Sequence, residues 1–281
     1  MSAGTLYLVA TPIGNLGDIT HRAVDVLRAC PRIAAEDTRH THKLLSHFGI
    51  EGKKLDALHA HSSPKDVARL IEKLEAGEDV ALVTDAGTPQ VSDPGDVLVR
   101  AAIAAGIVVV PLPGPSAVLA ALSASGLGTG GGFRFVAFLP RDGMARREAI
   151  GRVCDEADPV VLFEAPNRLA ETLTELAAAT PDRRACVARE ITKMHEEFLR
   201  GTLAELAAQD REWKGEVVVV LGPHDPASRA TVIDDAAIDA RIDEELAKGA
   251  HAKGTAERLA AWSGRPKREI YERVLGRKSR E

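Results

Sequence analysis

The sequence predicts an α/β protein with two α/β domains and a small helical extension at the carboxyl end. Three observations support this fold class. Short apolar runs alternate with amphipathic helical segments over 5–110 and again over 133–221. The segment PLPGP at 111–115 separates the two series and is typical of a stiff hinge. Beyond 236 the pattern is helical only, and the 281 residues are enough for two hydrophobic cores.

The first series predicts a mainly parallel sheet with helices on both faces. Its predicted strands are 5–11, 32–35, 54–58, 80–83 and 107–110, and the helices between them are 20–30, 39–48, 64–76 and 96–105. Parallel neighbours need crossover connections, which these helices supply. Ser63, Pro64 and Asp66 give the third helix an N-cap, a proline at its first position and an acid in its first turn.

The second series predicts a mixed sheet, because the charged segment 189–200 interrupts the strand pattern. The predicted strands are 133–138, 160–163, 185–188 and 216–221, and the helices are 116–125, 145–154, 167–179 and 203–208. The helices expected in the extension are 236–248, 252–263 and 267–275. We therefore expect an N-terminal α/β domain at 1–112, a second α/β domain at 113–224 with a cleft between the two, and a helical, basic extension at 234–281.

The loop 84–95 is the strongest candidate for a ligand-binding segment. It follows the apolar run 80–83 and contains two carboxylates, three hydroxyls and four Gly or Pro residues. Ligands of open α/β sheets bind at the carboxyl ends of the strands. Polar loops at the other strand ends, 12–18, 36–38, 113–117, 164–168 and 189–193, can face it across a cleft. The alternative is a tight turn in which Asp93 only caps the next helix.

Several familiar sites are excluded by their missing motifs. The sequence lacks the P-loop of ATPases, the glycine pattern of dinucleotide-binding folds and the nucleophile elbow of α/β hydrolases. The His-x-His pairs at 40–42 and 59–61 lack a third ligand, so no metal site is expected. The three isolated cysteines do not indicate disulfides.

Composition bounds the location and the partners. No run of eighteen apolar residues and no basic-then-apolar leader occurs, so we expect a cytoplasmic protein without a membrane segment. The net charge is -5, yet 248–280 holds ten basic and three acidic residues. This excess indicates a polyanionic partner, with a solvated tail as the alternative.

A set of sequence blocks carries a family resemblance. The blocks are TPIGNLGDIT (11–20), AAEDTRHT (34–41), LVTDAGTPQVSDPG (82–95), PLPGPSA (111–117), FEAPNRL (163–169) and AREITKMHEEFLRGTL (188–203). Together they resemble the signature of the bacterial 16S rRNA (cytidine-2′-O)-methyltransferase family, the ribosomal small subunit methyltransferase I group within the tetrapyrrole-methylase fold. They occur in order over about three quarters of the chain.

This resemblance implies a function and its partners. It implies S-adenosylmethionine as cofactor, bound between two α/β domains of tetrapyrrole-methylase type, and a homodimer. It implies methylation of the ribose 2′-hydroxyl of cytidine 1402, in the decoding centre of 16S rRNA in the small ribosomal subunit. The carboxy-terminal helices resemble the helix-turn-helix-like extension of that family.

The resemblance also assigns cofactor-binding positions. Pro12 would line the adenosine side, and the residues expected around the methionine portion and the hinge are Asp85, Gly87, Val91, Ser116 and Ala117. Phe163, Ala188 and Leu221 are the expected contacts from the second domain. The segment 12–18 lacks the G-x-G-x-G-D pattern of the small-molecule methylases in this superfamily, which favours the rRNA branch.

A ribose hydroxyl is a poor nucleophile, so the reaction needs a proton acceptor. Candidates at the strand ends are Glu36, Asp37, Asp85, Glu190 and His195. We predict Glu190 as the acceptor, with Lys193 lowering the hydroxyl pKa or holding the adjacent phosphate. The alternative is that Arg189 and Glu190 form an internal ion pair.

Two other functions remain open from the sequence. A tetrapyrrole-precursor or other small-molecule methylase of the same fold would explain the cofactor loops but not the basic tail. A nucleic-acid-binding regulator would use 255–275 as a helix-turn-helix and the α/β body as a metabolite sensor.

Overall fold

The computed structural model describes residues 2–59, 62–91, 95–224, 235–247, 250–263 and 266–278. The first sheet is wholly parallel, as expected, with strand order β3-β2-β4-β1-β5. Its strands are β1 (Thr5–Val9), β2 (Arg32–Ala35), β3 (Lys54–Ala57), β4 (Val80–Val83) and β5 (Val108–Leu112). Every residue of β2 and β4 is buried, because these strands lie between two layers of helices.

Two helices cover each face of the first sheet. One layer is α1 (His21–Ala29) with α2 (Thr38–His47), and the other is α3 (Pro64–Glu75) with α4 (Asp96–Ala104). The predicted start of α3 is confirmed: Ser63 and Asp66 form a capping box, and Pro64 occupies the first position. Asp37 caps α2 by accepting a hydrogen bond from the backbone N–H of Arg39 at 2.8 Å.

The strand order decides which loops meet. β1 and β2 follow one another in the chain but lie on either side of β4. The loops after β1, β2 and β4 therefore converge at the carboxyl edge of the sheet. The backbone N–H of Asp37 donates to Asp85 Oδ1 at 3.1 Å, which shows how close the loops after β2 and β4 lie.

The second sheet is mixed, as predicted, with strand order β6-β7-β10-β8-β9. Its strands are β6 (Arg134–Phe138), β7 (Val160–Glu164), β8 (Arg184–Arg189), β9 (Glu197–Thr202) and β10 (Val217–Leu221). β6 and β7 are parallel and the other pairs are antiparallel. On one face lies α5 (Ala117–Ser125), and on the other lie α6 (Gly143–Asp155), α7 (Pro166–Ala179) and α8 (Leu203–Ala207).

One strand of this sheet was missed by the sequence prediction. β9 begins within the segment 189–200, whose charges predict an interruption of the strand pattern, and it pairs along its length with β8. It is the edge strand of the sheet, where charged residues such as Glu197 and Arg200 are tolerated because one side faces solvent.

The extension folds as three helices around an apolar cluster of its own. They are α9 (Asp235–Ala247), α10 (Ala252–Ser263) and α11 (Lys267–Lys278), close to the predicted ranges. The cluster includes Ile238, Ile242, Leu259, Ile270 and Val274. The division into domains at 1–112, 113–224 and 234–281 stays a prediction.

Acidic residues of α9 offset much of the positive charge that was expected for the extension. Arg273 contacts Asp235 at 2.5 Å and Asp239 at 3.3 Å, and Arg277 pairs with Asp239 and Asp243. Counted from the start of α9, 235–281 contains eleven basic and nine acidic residues. The excess of seven over 248–280 overstated the charge, because that count left out the acids of α9. In the part of the chain that the structure describes, no helix is long and apolar enough to span a membrane.

Candidate functional site

A cleft of about 430 Å³ lies between the carboxyl edge of the first sheet and the second sheet. The first half of the chain lines it through Ile13 and the loop 86–91, and α5 lines it through its first turn. The second sheet contributes Phe138, the end of β7 with the start of α7 (163–166), and the start of β10 (215–218). The cleft therefore joins most of the strand-end loops that the sequence singled out.

Gly87 helps to hold the loop after β4 in place at the cleft. Its backbone N–H and C=O exchange hydrogen bonds with Thr11 at 3.0 and 2.9 Å, and Thr88 Oγ1 donates to the C=O of Pro115 at 3.1 Å. Gly87 has φ +85°, a conformation that L side chains rarely adopt, and a Cβ there would lie 3.4 Å from Ile13. The loop after β4 is thus held to both β1 and the hinge. Residues 92–94, with Asp93 and its alternative capping role, lie outside the described residues.

The start of α5 supplies hydrogen-bond donors to the cleft. Ser116 is the N-cap, and its Oγ accepts from the N–H of Leu119 at 3.4 Å. The first N–H groups of a helix have no partner within it, and the helix dipole is positive there. Since Ser116, Ala117 and Val118 line the cleft, this end suits an anionic group of a ligand.

The second sheet presents an aromatic wall beside a buried carboxylate. Phe163 lies 5.0 Å from Phe135 and 5.5 Å from Phe138, measured between ring centroids. The side chain of Glu164 is fully buried and accepts a hydrogen bond from Thr172 Oγ1 at 2.6 Å. Arg168 lies 3.3 Å from the same carboxylate. Glu164 lies in the polar loop 164–168 that the sequence singles out, but the sequence assigns it no role.

Glu190 and Lys193 form an ion pair at the border of the cleft. Glu190 Oε1 accepts hydrogen bonds from the backbone N–H of Glu216 and from Lys193 Nζ, both at 2.9 Å. These two donors hold the pKa of the Glu190 carboxyl below its ordinary value. Burial opposes the charge of Lys193, but its bonds to Glu190 and Glu216 outweigh this and raise its pKa. Arg189 pairs with Glu197 at 3.1 Å rather than with Glu190.

Two glycines make room for this pair. A Cβ on Gly215 would lie 2.4 Å from the Glu190 carboxyl carbon, and a Cβ on Gly14 would lie 2.5 Å from Lys193 Cγ. Gly14 belongs to the loop after β1, so Lys193 packs against a loop of the first sheet. Neither Glu190 nor Lys193 is among the residues that line the cleft. Their catalytic role stays a prediction.

Backbone strain is concentrated around the cleft. Among the described residues other than glycine, positive φ occurs at Gln90, Ala137, Glu190 and Thr192. Gln90 precedes Val91 and Ala137 precedes Phe138, and both of these neighbours line the cleft. Glu190 and Thr192 belong to the loop that packs against Gly14. Strain of this kind clusters at functional sites.

The predicted cofactor positions fall into three groups. Five of them line the cleft: Gly87, Val91, Ser116, Ala117 and Phe163. Pro12 and Asp85 line an adjacent cavity. Ala188 and Leu221 are fully buried in the second sheet, and Leu221 belongs to the core on the face away from α5. The roles of all nine stay predictions.

The residues present fit S-adenosylmethionine. The volume of the cleft lies within the ~300–1,000 Å³ typical of small-molecule sites. The aromatic wall at Phe163 and Phe138 suits a flat base, and the start of α5 suits a carboxylate. An apolar aromatic surface and helix N–H donors in one cleft are what an adenosyl amino acid requires.

Comparisons with known proteins agree with this geometry. The sequence model of the family described as Tetrapyrrole (Corrin/Porphyrin) Methylases matches residues 5–207. "Ribosomal RNA small subunit methyltransferase I" of Xylella fastidiosa is 47% identical over 273 residues, covering 95% of this chain and 98% of the relative. The protein of that name from Pseudomonas aeruginosa is 43% identical and covers 100% of both chains.

A solved structure shows the same fold. The uroporphyrin-III C-methyl transferase of Thermus thermophilus, complexed with S-adenyl homocysteine, superposes with a TM-score of 0.55. The match covers 78% of this chain and 97% of the other at 19% identity, so it supports the fold alone. The sequence matches extend over nearly the whole chain, and the chain belongs to the ribosomal RNA small subunit methyltransferase I family of the tetrapyrrole (corrin/porphyrin) methylases.

Proposed function

We propose that this chain transfers a methyl group from S-adenosylmethionine to the ribose 2′-hydroxyl of cytidine 1402 in 16S rRNA of the small ribosomal subunit. The observation that carries the proposal is the cleft, which is lined both by the start of α5 and by the aromatic wall. The relatives that match nearly the full length are named as methyltransferases of small-subunit rRNA, and the solved relative with this fold holds S-adenyl homocysteine.

The chain's own residues define how the cofactor would be held. Gly87 and Val91 lie along one side of the cleft, and Ser116 and Ala117 offer backbone N–H groups at its end. Phe163 supplies a flat apolar surface, while Pro12 and Asp85 border the neighbouring cavity. Ala188 lies in the same apolar cluster as Phe163, whereas Leu221 belongs to the core on the opposite face of the second sheet. The cofactor supplies an electrophilic methyl group on a sulfonium.

Methyl transfer is an in-line displacement, so the protein must align the ribose oxygen with the methyl group and exclude water. The ion pair of Glu190 and Lys193 ties the loop after β8 to Gly14 of the loop after β1. Since two hydrogen bonds stabilise the charged form of Glu190, this carboxylate is a weak base.

We also propose a homodimer that acts in the cytoplasm, where small subunits are modified. The segment 133–144 beside the cleft exposes Phe133, Phe138 and Met144, and exposed apolar side chains in one segment are typical of an interface. The extension carries a slight positive excess and would extend the contact with RNA.

The test is transfer of tritiated methyl from S-adenosylmethionine to small subunits purified from cells lacking this protein. After digestion, we expect the label in 2′-O-methylcytidine, at position 1402. Label in a tetrapyrrole precursor, with none in RNA, would instead support the small-molecule methylase. Sequence-specific duplex binding without methyl transfer would support the regulator. A Gly87→Val variant, whose cleft is altered, is the negative control.

A further inference from the structure

A second cavity, of about 310 Å³, shares a wall with the cleft. The segments 11–13 and 84–87 contribute residues to both cavities. On its far side the second cavity is lined by α2, through His40, Thr41, Lys43 and Leu44. A group bound here would lie directly beside a ligand of the cleft. Hydroxyls, an imidazole, an ammonium and the Asp85 carboxylate line it together with Pro12 and Leu16, and these groups can bind a sugar and an adjoining phosphate.

His40 and Asp85 form a dyad in this cavity. His40 Nδ1 lies 3.4 Å from Asp85 Oδ2, while Asp85 Oδ1 accepts a hydrogen bond from the backbone N–H of Asp37 at 3.1 Å. The backbone therefore fixes the carboxylate, and one of its oxygens is left for the imidazole. A carboxylate at Nδ1 favours the tautomer with the proton on Nδ1, which leaves Nε2 to accept a proton. The imidazole is 58% exposed and is accessible to a substrate.

The charged groups around the dyad suit a phosphodiester. Lys43 is exposed and lines the same cavity one helical turn after His40. Arg39 is also exposed but is bound to Asp37, whose pKa its hydrogen bonds hold below the ordinary value. Glu36 Oε2 accepts from the backbone N–H of Asp85 at 3.4 Å. Lys43 thus has no carboxylate partner among the described residues that face the dyad, and an ammonium of this kind binds a phosphate as a point charge.

We infer that the second cavity receives the ribose and an adjoining phosphate of the target nucleotide, and that His40, oriented by Asp85, accepts the proton of the ribose 2′-hydroxyl. This inference rests on the proposed function. The bond between O2′ and the methyl carbon forms while the sulfur–methyl bond breaks. The bonding pair stays on sulfur, and the O2′ proton passes to Nε2 of His40. Lys43 holds the phosphate, and Asp85 is a positioning residue.

The experiment compares His40→Ala with His47→Ala. His47 lies at the end of the same helix, is exposed and lines none of the described cavities. For His40→Ala we expect kcat on small subunits to fall by ~10²–10⁴-fold, the usual contribution of general base catalysis. Calorimetric affinity for S-adenosylmethionine and filter-binding affinity for the small subunit should stay within about threefold of wild type, since the acceptor acts mainly in the transition state. Added imidazole should restore part of the rate to His40→Ala, and His47→Ala should match the wild type.

Three outcomes would overturn the inference. His40→Ala could keep the wild-type kcat. It could lose particle binding and activity together without rescue by imidazole, which would make His40 an RNA contact only. A Glu190→Gln variant could lose kcat at unchanged affinities while His40→Ala keeps it, which would identify Glu190 as the acceptor. If the wild-type protein labels no RNA, the proposed function fails. If the wild-type protein is active and His40→Ala is equally active, only the role of His40 is refuted and the proposed function stands.

Discussion

Gly215→Ala tests whether the Glu190–Lys193 pair is held as the structure indicates. Gly215 has φ +81°, and its added Cβ would lie 2.4 Å from the carboxyl carbon of Glu190. The carboxylate would have to move away from Lys193 and from the backbone N–H of Glu216. Gly49→Ala is the matched control, because Gly49 also has positive φ, +62°, but has no heavy atom within 4 Å of its added Cβ.

The difference in stability between Gly215→Ala and Gly49→Ala measures the effect of the clash with Glu190. An alanine in the left-handed region costs about 1–2 kcal/mol, and both variants carry this cost. Loss of a hydrogen bond to a charged group adds ~1.5–3 kcal/mol for Gly215→Ala alone. For a chain of this size, 1 kcal/mol corresponds to about 2–4 °C in Tm, so Gly215→Ala should melt at least ~3 °C below Gly49→Ala.

The assay is thermal unfolding by differential scanning calorimetry at neutral pH and one scan rate. A further variant, Gly215→Ala with Glu190→Ala, should recover part of the loss, because the shortened side chain no longer meets the new methyl group. Equal melting temperatures for Gly215→Ala and Gly49→Ala would refute the reasoning, since the clash with Glu190 would then have no energetic consequence.

Three further predictions concern the cleft, its support and the pH dependence. Gly87→Val should weaken calorimetric affinity for S-adenosylmethionine by at least ~10-fold, because a β-branched residue is strained at φ +85°. Gly49→Val is the control and should leave this affinity unchanged, because no heavy atom lies within 4 Å of an added Cβ there. Equal affinities of the two variants would contradict the role of Gly87. Thr172→Val removes the donor to buried Glu164 and should cost about 1–3 kcal/mol by denaturant unfolding; exposed Thr174→Val on the same helix should cost less than about 1 kcal/mol, since surface changes are mild. Hydrogen bonds from Arg211, followed by those from Arg189, outweigh the effect of burial and lower the pKa of the Glu197 carboxyl. The stability that these bonds contribute is therefore present above the unfolded carboxyl pKa of ~4.3 and is lost as the pH falls through the lower folded pKa. Glu197→Gln should therefore show a flatter decrease in Tm below about pH 4.3 than wild type, and parallel curves would contradict this.

The sequence predicted the elements of the first sheet because apolar runs and helical periodicity are local signals. Even Pro111, inside β5, is compatible with its position, since β5 is an edge strand. The sequence did not predict β9, because the charged residues of an edge strand interrupt the alternation of apolar and polar residues. The charge of the extension was overestimated because the count began at 248, after the acids of α9, with which Arg273 and Arg277 pair.

For the site, the sequence identified the loops but not their pairings. The loops that contain Gly87 and Ser116 are recognisable from their polar, Gly- and Pro-rich sequence, while the roles of these two residues toward the cofactor are implied by the family resemblance. The contact of His40 with Asp85 depends on β2 and β4 being neighbours, which no local pattern encodes. The same holds for the approach of Gly215 to Glu190, since β8 and β10 are paired across the whole of β9 and α8.

The position of β1 as an interior strand of a parallel sheet has a consequence for synthesis on the ribosome. β1 is the first strand to be made, yet its partners are β4 and β5, and about seventy residues separate Val9 from Val80. At roughly 5–20 residues per second, the apolar strand waits ~4–14 s before its first partner is translated. During that interval the nascent chain exposes an unpaired hydrophobic strand, which is what chaperones bind. By contrast, β8 and β9 form an antiparallel pair within some twenty residues, so the second half of the chain can fold soon after it emerges.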